Sequence, residues 1–283
     1  MNNFEKIEKI IACPQCEHLL DIHNNFVSCA VCKKKYKKTK NSYIFFSPPT
    51  NTEYSSDNFV YKIKTIFKKY PTLYSYLAYF LGGPPVNQSA KKFLKGIPNS
   101  KIIINLGSGT KNLSNDIINV DIAEYKGVSV VADASQLPFL DESIDVIICD
   151  YLLEHVRNPD SVVKEIYRVL KKDGIIYIGV PFIIHFHSAP NDFYRWTKNG
   201  LRELLKSFSE IELKVAYGPG SALSAIFAEW LATFLSFGVR PLYNTILPIG
   251  LILGIPLRIL DIFMAKYTTS ENIALGFYFI GKK

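Results

Sequence analysis

The chain opens without an apolar run. Met1 to Lys9 is polar and of mixed charge, with no small-residue cleavage signal behind it. A secretory leader is therefore not expected, and the expected compartment is the cytoplasm, where thiols stay reduced. Acidic residues are in deficit: 25 Asp and Glu against 33 Lys and Arg leave a net charge of +8. The basic surplus favours anionic partners: nucleic acid, acidic lipid head groups or phosphorylated substrates. Charge nearly vanishes between Ser221 and Met264, where only Glu229, Arg240, Arg258 and Asp261 remain. Even there no clean apolar span of about 20 residues is present, because Pro241, Pro248 and Pro256 interrupt it, so a spanning helix is not expected. Cysteine is sparse, five residues in 283, and four of them precede residue 33. With 48% apolar residues the chain is neither disordered nor short of core.

Four textures divide the chain. Residues 1–47 hold the clustered cysteines and end in Tyr43-Ile44-Phe45-Phe46. Residues 48–90 are a turn-rich linker followed by basic, aromatic helices, a pair over 59–81 broken at Pro71. Lysines concentrate in these first two parts: Lys33-Lys34-Lys35-Tyr36-Lys37-Lys38, then Lys62, Lys64, Lys68 and Lys69. They read either as a solvated face or as a patch for an anionic surface. Residues 91–283 form an α/β domain interrupted by an apolar helical insertion at 221–264. Strands are predicted at 101–106, 117–122, 128–132, 144–150, 175–180, 211–216 and 274–280, with helices at 159–170 and 198–208. Short apolar runs alternating with helices imply a buried, mainly parallel sheet, whose ligands bind at the carboxyl ends of the strands.

Cys13-Pro14-Gln15-Cys16 and Cys29-Ala30-Val31-Cys32 are two C-x2-C pairs twelve residues apart. Each pair grips a metal from a tight turn, and two pairs complete a tetrahedral Zn2+ site. His18 and His23 are spare, since four thiolates suffice. A closed four-sulfur site leaves no open position, so its role is structural or docking. The stretch from Cys13 to Phe46 resembles the small zinc ribbon that precedes or activates a number of methyltransferases.

Leu106-Gly107-Ser108-Gly109-Thr110 follows the first α/β strand, and glycines there permit a tight turn and a close ligand approach. Asp121-Ile122 ends the second strand and Asp133-Ala134 the third; an acid at the end of the second strand suits ribose hydroxyls. A nicotinamide enzyme on the same sheet would carry a third glycine at G-x-G-x-x-G, and none is present. The ordered set LGSGT, the acid after strand two, DAxxLPF, D-x-S-x-D-V-I, LLEHV and RVLKxDG, from Lys101 to Leu205, resembles class I S-adenosylmethionine-dependent methyltransferases of the type 11 group. The resemblance implies a Rossmann-like sheet, parallel with one antiparallel strand. It implies that Leu106, Gly107, Ser108 and Gly109 line the methionine end of S-adenosylmethionine. Asp121 and Ile122 would take the ribose, Asp133 and Ala134 the adenine, and Asp150 or Tyr151 would lie beside the sulfonium. Two departures stand out. Asn105 replaces the usual acid, and the interval from Gly109 to Asp121 leaves room for one helical turn or none. The N-P-P-Y and D-P-P-Y signatures of adenine-amine methylation are also missing; Asp150-Tyr151-Leu152-Leu153 stands in their place.

Methyl transfer asks the protein to align two reactants and, for a hydroxyl or amine acceptor, to manage a proton. Candidates follow strands four and five. Glu154 and His155 either shape a turn or act at the site. The tract His185 to Thr197 resembles the H-x-x-P-x-D-x-x-R-x-T tract of a type 11 subgroup. Within it, His187 with Asp192 reads as a base and its orienting acid, and Arg195 as an anion clamp; alternatively the tract is a lid with Asp192 and Arg195 paired. Cys149 reads as a small buried residue. For 221–264, a packed cap, a homodimer surface and a monotopic membrane patch at the inner face stand side by side. The functional expectation is methylation of an anionic or lipid- or glycan-linked small molecule. An RNA-base methyltransferase and a non-catalytic scaffold of the same fold are the alternatives.

Overall fold

A computed structural model describes residues 3–47, 85–187 and 191–283; the helix pair expected at 59–81 lies outside them. The apolar runs become the strands of one sheet. In chain order the elements are α1 (Asn3–Glu8), β1 (Leu20–Ile22), β2 (Phe26–Cys29), β3 (Lys35–Lys38), β4 (Tyr43–Ile44), α2 (Ala90–Leu94), β5 (Ile103–Leu106), β6 (Ile118–Asp121) and β7 (Val130–Val131). They continue with β8 (Ile144–Asp150), α3 (Pro159–Val169), β9 (Leu170–Pro181), α4 (Lys198–Leu204), β10 (Ser209–Tyr217), α5 (Pro219–Ser236), α6 (Arg240–Leu253), α7 (Ile255–Ile259), α8 (Asp261–Met264) and β11 (Gly276–Lys282).

The sheet runs β1-β2-β3-β4-β7-β6-β5-β8-β9-β11-β10. β7, β6, β5, β8 and β9 are parallel. β11 enters antiparallel between β9 and β10, with Phe277 opposite Val180 and Phe279 opposite Leu213. From β7 to β10 this is the expected Rossmann-like sheet, parallel with one reversed strand. Every side chain of β5 is buried, on both faces, because a parallel sheet is covered on both sides. One face packs on α1, α3 and α4 through Ile7, Val162, Ile166 and Leu201. The other packs on α2, where Ala90, Phe93 and Leu94 meet Ile103, Ile148 and Tyr278.

The cysteine-bearing strands extend this same sheet. β4 pairs parallel with β7, Tyr43 opposite Val130. Ile7, Ile11, Cys13 and Tyr43 share one apolar core with Phe139 and Ile118. The Tyr43 hydroxyl donates to Glu8 at 2.8 Å. The connection between β5 and β6 contains turns and no helix, in line with its length.

The insertion is a helical hairpin closed by small residues. A methyl group placed on Gly250 would stand 2.9 Å from the Cα of Ala228; one on Gly254 would collide with Ser224, and one on Gly220 with the carbonyl of Leu257. Ala228 and Ala232 are fully buried between α5 and α6. The large side chains point the other way: Trp230 is 58% exposed, Phe234 60%, Ile252 59% and Phe263 61%. Asp261 of α8 is wholly buried. It accepts from the amides of Gly220 and Ser221 at 2.7 and 2.8 Å and from the Ser221 hydroxyl at 2.6 Å, capping α5. Prolines do not break the hairpin as expected. Pro241 and Pro256 sit in first turns, where no amide hydrogen is needed, and only Pro248 is internal. The result is one helical stretch, Arg240–Ile259, of length and composition sufficient to cross a membrane, with 22% of its most apolar window buried.

Replacing Asp261 by Ala removes three hydrogen bonds from a buried helix start. We expect a loss of about 2 kcal/mol, measured as a lowered urea midpoint; an unchanged midpoint would contradict the cap.

Candidate functional site

The carboxyl ends of β5, β6, β7 and β8 converge on the glycine turn. Gly107 and Gly109 have φ of +70° and +54°, which glycine adopts without the Cβ penalty. The two glycines differ in surroundings. A Cβ on Gly107 would press to 2.9 Å from Leu152, whereas Gly109 faces open space. The Gly109 amide donates to Asp121 Oδ2 at 2.7 Å, and the Ala123 amide donates to Asp121 Oδ1 at 3.1 Å. Asp121 thus ties the turn after β5 to the end of β6. Beside it Ile122 is 41% exposed, an apolar face at a strand end. Asp133 accepts from the amide and hydroxyl of Ser135 at 2.8 and 2.7 Å, both through Oδ1. Leu106 is buried, and so is Ser108, whose hydroxyl has no hydrogen-bond partner.

Asn105 is turned away from this turn into the fold. Its amide donates to Asn119 Oδ1 at 3.1 Å and to the Lys111 carbonyl at 3.4 Å. Lys111 forms an ion pair with Asp150 Oδ2 at 2.7 Å, a partner that the sequence reading missed. Asp150 fits where it does because Gly179 on β9 leaves room for its carboxylate. Tyr151 follows with φ of +60°, and its buried hydroxyl has no hydrogen-bond partner.

The second constellation follows β8 and β9. His155 lies in a short 3-10 turn, Leu153–His155. Its Nδ1 is 2.5 Å from the carbonyl of Asn191. The His155 and His187 rings meet edge to face at 5.3 Å. Glu154, close to both, is wholly buried, and neither carboxylate oxygen has a hydrogen-bond partner. Burial, with the nearby charges of Asp150 and Asp192, pushes its carboxyl up to about 8. Burial also holds the His187 imidazole down to about 4. The sequence reading offered a turn-shaping role for Glu154; a buried, unpartnered carboxylate is the signal it could not see.

Two expectations for the 185–197 tract need correction. His187 with Asp192 reads as a base and its orienting acid, but the His187 Nδ1 stands 3.6 Å from Asp192 Oδ2, too far for a hydrogen bond. Asp192 instead accepts from the His187 backbone amide at 2.8 Å. Arg195 was read as an anion clamp, but its donors are spent internally. Its two terminal nitrogens grip Asp192, one at 2.6 Å, and they also reach the carbonyls of Tyr194 and His185 at 2.8 and 2.9 Å. Burial raises the Asp192 carboxyl, but Arg195 and the His187 amide outweigh it and bring it to about 2. The paired alternative fits: the pair positions the histidines. Cys149 is buried and burial raises its thiol well above the usual range, as a packing residue requires.

At the other end of the sheet the four cysteines meet. Cys13 and Cys32 sulfurs are 3.5 Å apart and Cys16 and Cys29 sulfurs 3.4 Å. All four lie within 4.8 Å of one another, and none is in a disulfide. A tetrahedron of Zn–S bonds of about 2.3 Å places sulfurs about 3.8 Å apart, so the four residues fit one ion.

Residues 107–178 match the methyltransferase domain family. The matched segment begins at the glycine turn and reaches β9, so it carries Asp121, Asp133, Asp150, Glu154 and His155. An uncharacterized methyltransferase of Bacillus subtilis is 39% identical over 74 residues, 25% of this chain and 27% of that protein. A ubiquinone/menaquinone biosynthesis C-methyltransferase of Desulfotalea psychrophila is 46% identical over 115 residues, 36% of this chain and 42% of that protein. The chain thus spans less than half the length of these relatives. Among solved structures, phosphoethanolamine N-methyltransferase 2 of Haemonchus contortus, in complex with S-adenosyl-L-methionine, is 16% identical. It has a TM-score of 0.46 and covers 74% of this chain and 56% of that one.

Replacing Arg195 by Gln removes the clamp while leaving the sheet intact. Hydrogen exchange of the His187 amide should then accelerate at least about tenfold, the equivalent of about 1.4 kcal/mol; unchanged protection would refute the clamp.

Proposed function

We propose that this chain is an S-adenosylmethionine-dependent methyltransferase whose acceptor is an anionic small molecule linked to a lipid and met at the membrane surface. S-adenosylmethionine supplies a methyl group on positively charged sulfur. The turn Leu106–Gly109 offers backbone room for its methionine end, with Asp121 and Ile122 at the ribose and Asp133 and Ala134 at the adenine. Asp150 and Tyr151 stand at the sulfonium end, beneath the histidines. The matched family segment and the glycine turn at the strand ends support this reading. Zn2+ in the four-cysteine cluster would be structural, because four thiolates close the coordination sphere and sit in the shared core.

The observation that carries the lipid part is the inverted hairpin. In water, large apolar residues are buried and small ones tolerated outside. Here Ala, Gly and Ser form the seam between α5 and α6 while Trp230, Phe234, Ile252 and Phe263 face outward. Small residues inside and large apolar residues outside is the packing that lipid rewards, and so wide an exposed apolar surface marks an interaction site. The hairpin also borders the histidines. Ala222 and Ala225 of α5 pack on Ile183 and Ile184, and His185 lies 3.6 Å from Glu229 of the same helix. A head group held at the bilayer surface would meet the reactive end of the sheet there. Lysines of the cysteine-bearing segment, such as the exposed Lys35 and Lys37, suit the anionic inner leaflet.

Two measurements test the two halves. Calorimetry should detect S-adenosylmethionine binding, weakened about tenfold or more by Asp121→Ala, since a hydrogen bond to a charged group contributes about 1.5–3 kcal/mol. No binding by the unmodified protein would favour the scaffold alternative. Flotation with anionic liposomes should carry the protein, and the combined change Trp230→Ser and Phe234→Ser should reduce the floating fraction severalfold. Failure to float, with salt-sensitive RNA binding instead, would favour the RNA-base methyltransferase.

A further inference from the structure

We propose that Glu154, His155 and His187 form a binding site for a divalent first-row transition cation, separate from the four-cysteine cluster. One carboxylate oxygen and one nitrogen from each imidazole all lie within 4.8 Å of one another, close enough for one ion to draw them together. Two histidines and one carboxylate are a ligand set for such ions, and three protein ligands leave coordination positions vacant for water or substrate.

Three observations raise this above a chance cluster. First, Glu154 is wholly buried with both oxygens lacking a hydrogen-bond partner; its nearest cationic candidate is His155 Nε2 at 3.8 Å. A buried carboxylate in that condition is costly. A proton would remove the charge, but the His155 Nε2 lone pair at 3.8 Å lies beyond hydrogen-bond reach of the new O–H, whereas a cation between the groups satisfies the carboxylate directly. Second, both imidazoles are oriented as metal-ligating histidines are, with one ring nitrogen turned to a backbone carbonyl. His155 Nδ1 faces the Asn191 carbonyl at 2.5 Å and His187 Nδ1 faces the His185 carbonyl at 3.3 Å. In each ring Nε2 is then the nitrogen with a lone pair to give. Third, the scaffold around the three groups is fixed. Arg195 and Asp192 hold the His187 amide and the His185 carbonyl, and the Phe193 amide donates to the Glu154 carbonyl at 2.8 Å. This network positions the loop and does not itself ligate.

The site deepens the methyltransferase reading by naming an acceptor atom, and that part rests on that reading. A cation with vacant positions beside the sulfonium end binds an acceptor hydroxyl and acidifies it. The hydroxyl proton leaves to solvent water. The oxygen lone pair forms the new O–C bond as the C–S bond breaks, and the electron pair of that bond stays on sulfur as a neutral thioether. The acceptor class is therefore a hydroxyl, and the product an ether.

Cation binding is measured without substrate or S-adenosylmethionine, so its outcome is independent of the methyltransferase reading. Co2+ is titrated into protein whose cysteines are already filled with Zn2+. One further Co2+ per chain should bind, with visible d–d bands and without the sulfur-to-metal charge-transfer absorption of thiolate ligation. Glu154→Gln keeps the buried shape and should weaken Co2+ at least about tenfold, as should His187→Gln, whereas Tyr151→Phe should not. The proposal is overturned if no second Co2+ binds, if its spectrum shows thiolate ligation, or if neither substitution at Glu154 or His187 alters affinity. Should the site bind Co2+ while the protein fails to bind S-adenosylmethionine, the cation site stands and the methyltransferase reading falls.

Discussion

The parallel sheet must be covered on both faces, and that constraint organises the rest of the molecule. Hydrogen bonding brings β7, β6, β5, β8 and β9 side by side, and their side chains emerge on both surfaces as continuous apolar runs. The β5–β6 connection contains no helix. Its share of the covering comes from α2, which precedes the sheet in the chain. On the opposite face, α1 joins α3 and α4 in one core with the cysteine-bearing strands. The ribbon is consequently built into the sheet edge through β4, and its metal would stabilise the wall of the catalytic sheet as well as its own loops.

The missing helix also shapes the site. The Gly109 amide meets Asp121, and a substituent on Gly109 would meet open space. The turn is therefore held by side-chain bonding across the strand ends instead of by a helix start. The same substitution of side-chain contacts for regular structure recurs after β9. Residues 182–187 and 191–197 carry no helix or strand, and the Arg195–Asp192 pair ties Asp192 to the His187 amide and the His185 carbonyl. Charge-assisted, two-pronged pairs are strong enough for that work, and the reactive groups ride on the backbone they secure.

The helical hairpin packs small residues inside and leaves large apolar residues outside. Its seam of Gly, Ala and Ser allows close backbone approach, and Asp261 closes its start with three hydrogen bonds. Little apolar area is buried in such a seam, so water gives it limited driving force. Its outward aromatic and aliphatic residues gain only when something apolar covers them. α5 is also the helix beside His185, through Glu229.

Local order along the chain was enough to reveal most of the framework. The strand runs, the paired C-x2-C turns, the G-x-G turn and the acids at Asp121 and Asp133 are readable because each depends on spacing over a few residues. The reach of β9 back to Leu170, the shorter α4 and the run of α6 into α7 past Pro248 were not readable. Each depends on neighbouring strands or on which turn receives a proline. Pairings across long separations were likewise invisible: Lys111 with Asp150, Asn105 with Asn119, Asp261 with the start of α5, and β4 with β7. Above all, LLEHV and the histidine tract are 30 residues apart, and composition cannot say which of their polar groups is satisfied. Sequence by itself determined the alternation of strands and helices from β5 onward, the paired cysteine turns and the glycine turn, because those are local stereochemistry. Only the tertiary structure decided that Arg195 is spent on Asp192 while Glu154 is left buried and unpartnered beside two histidines, because satisfaction of a polar group is a property of everything packed around it.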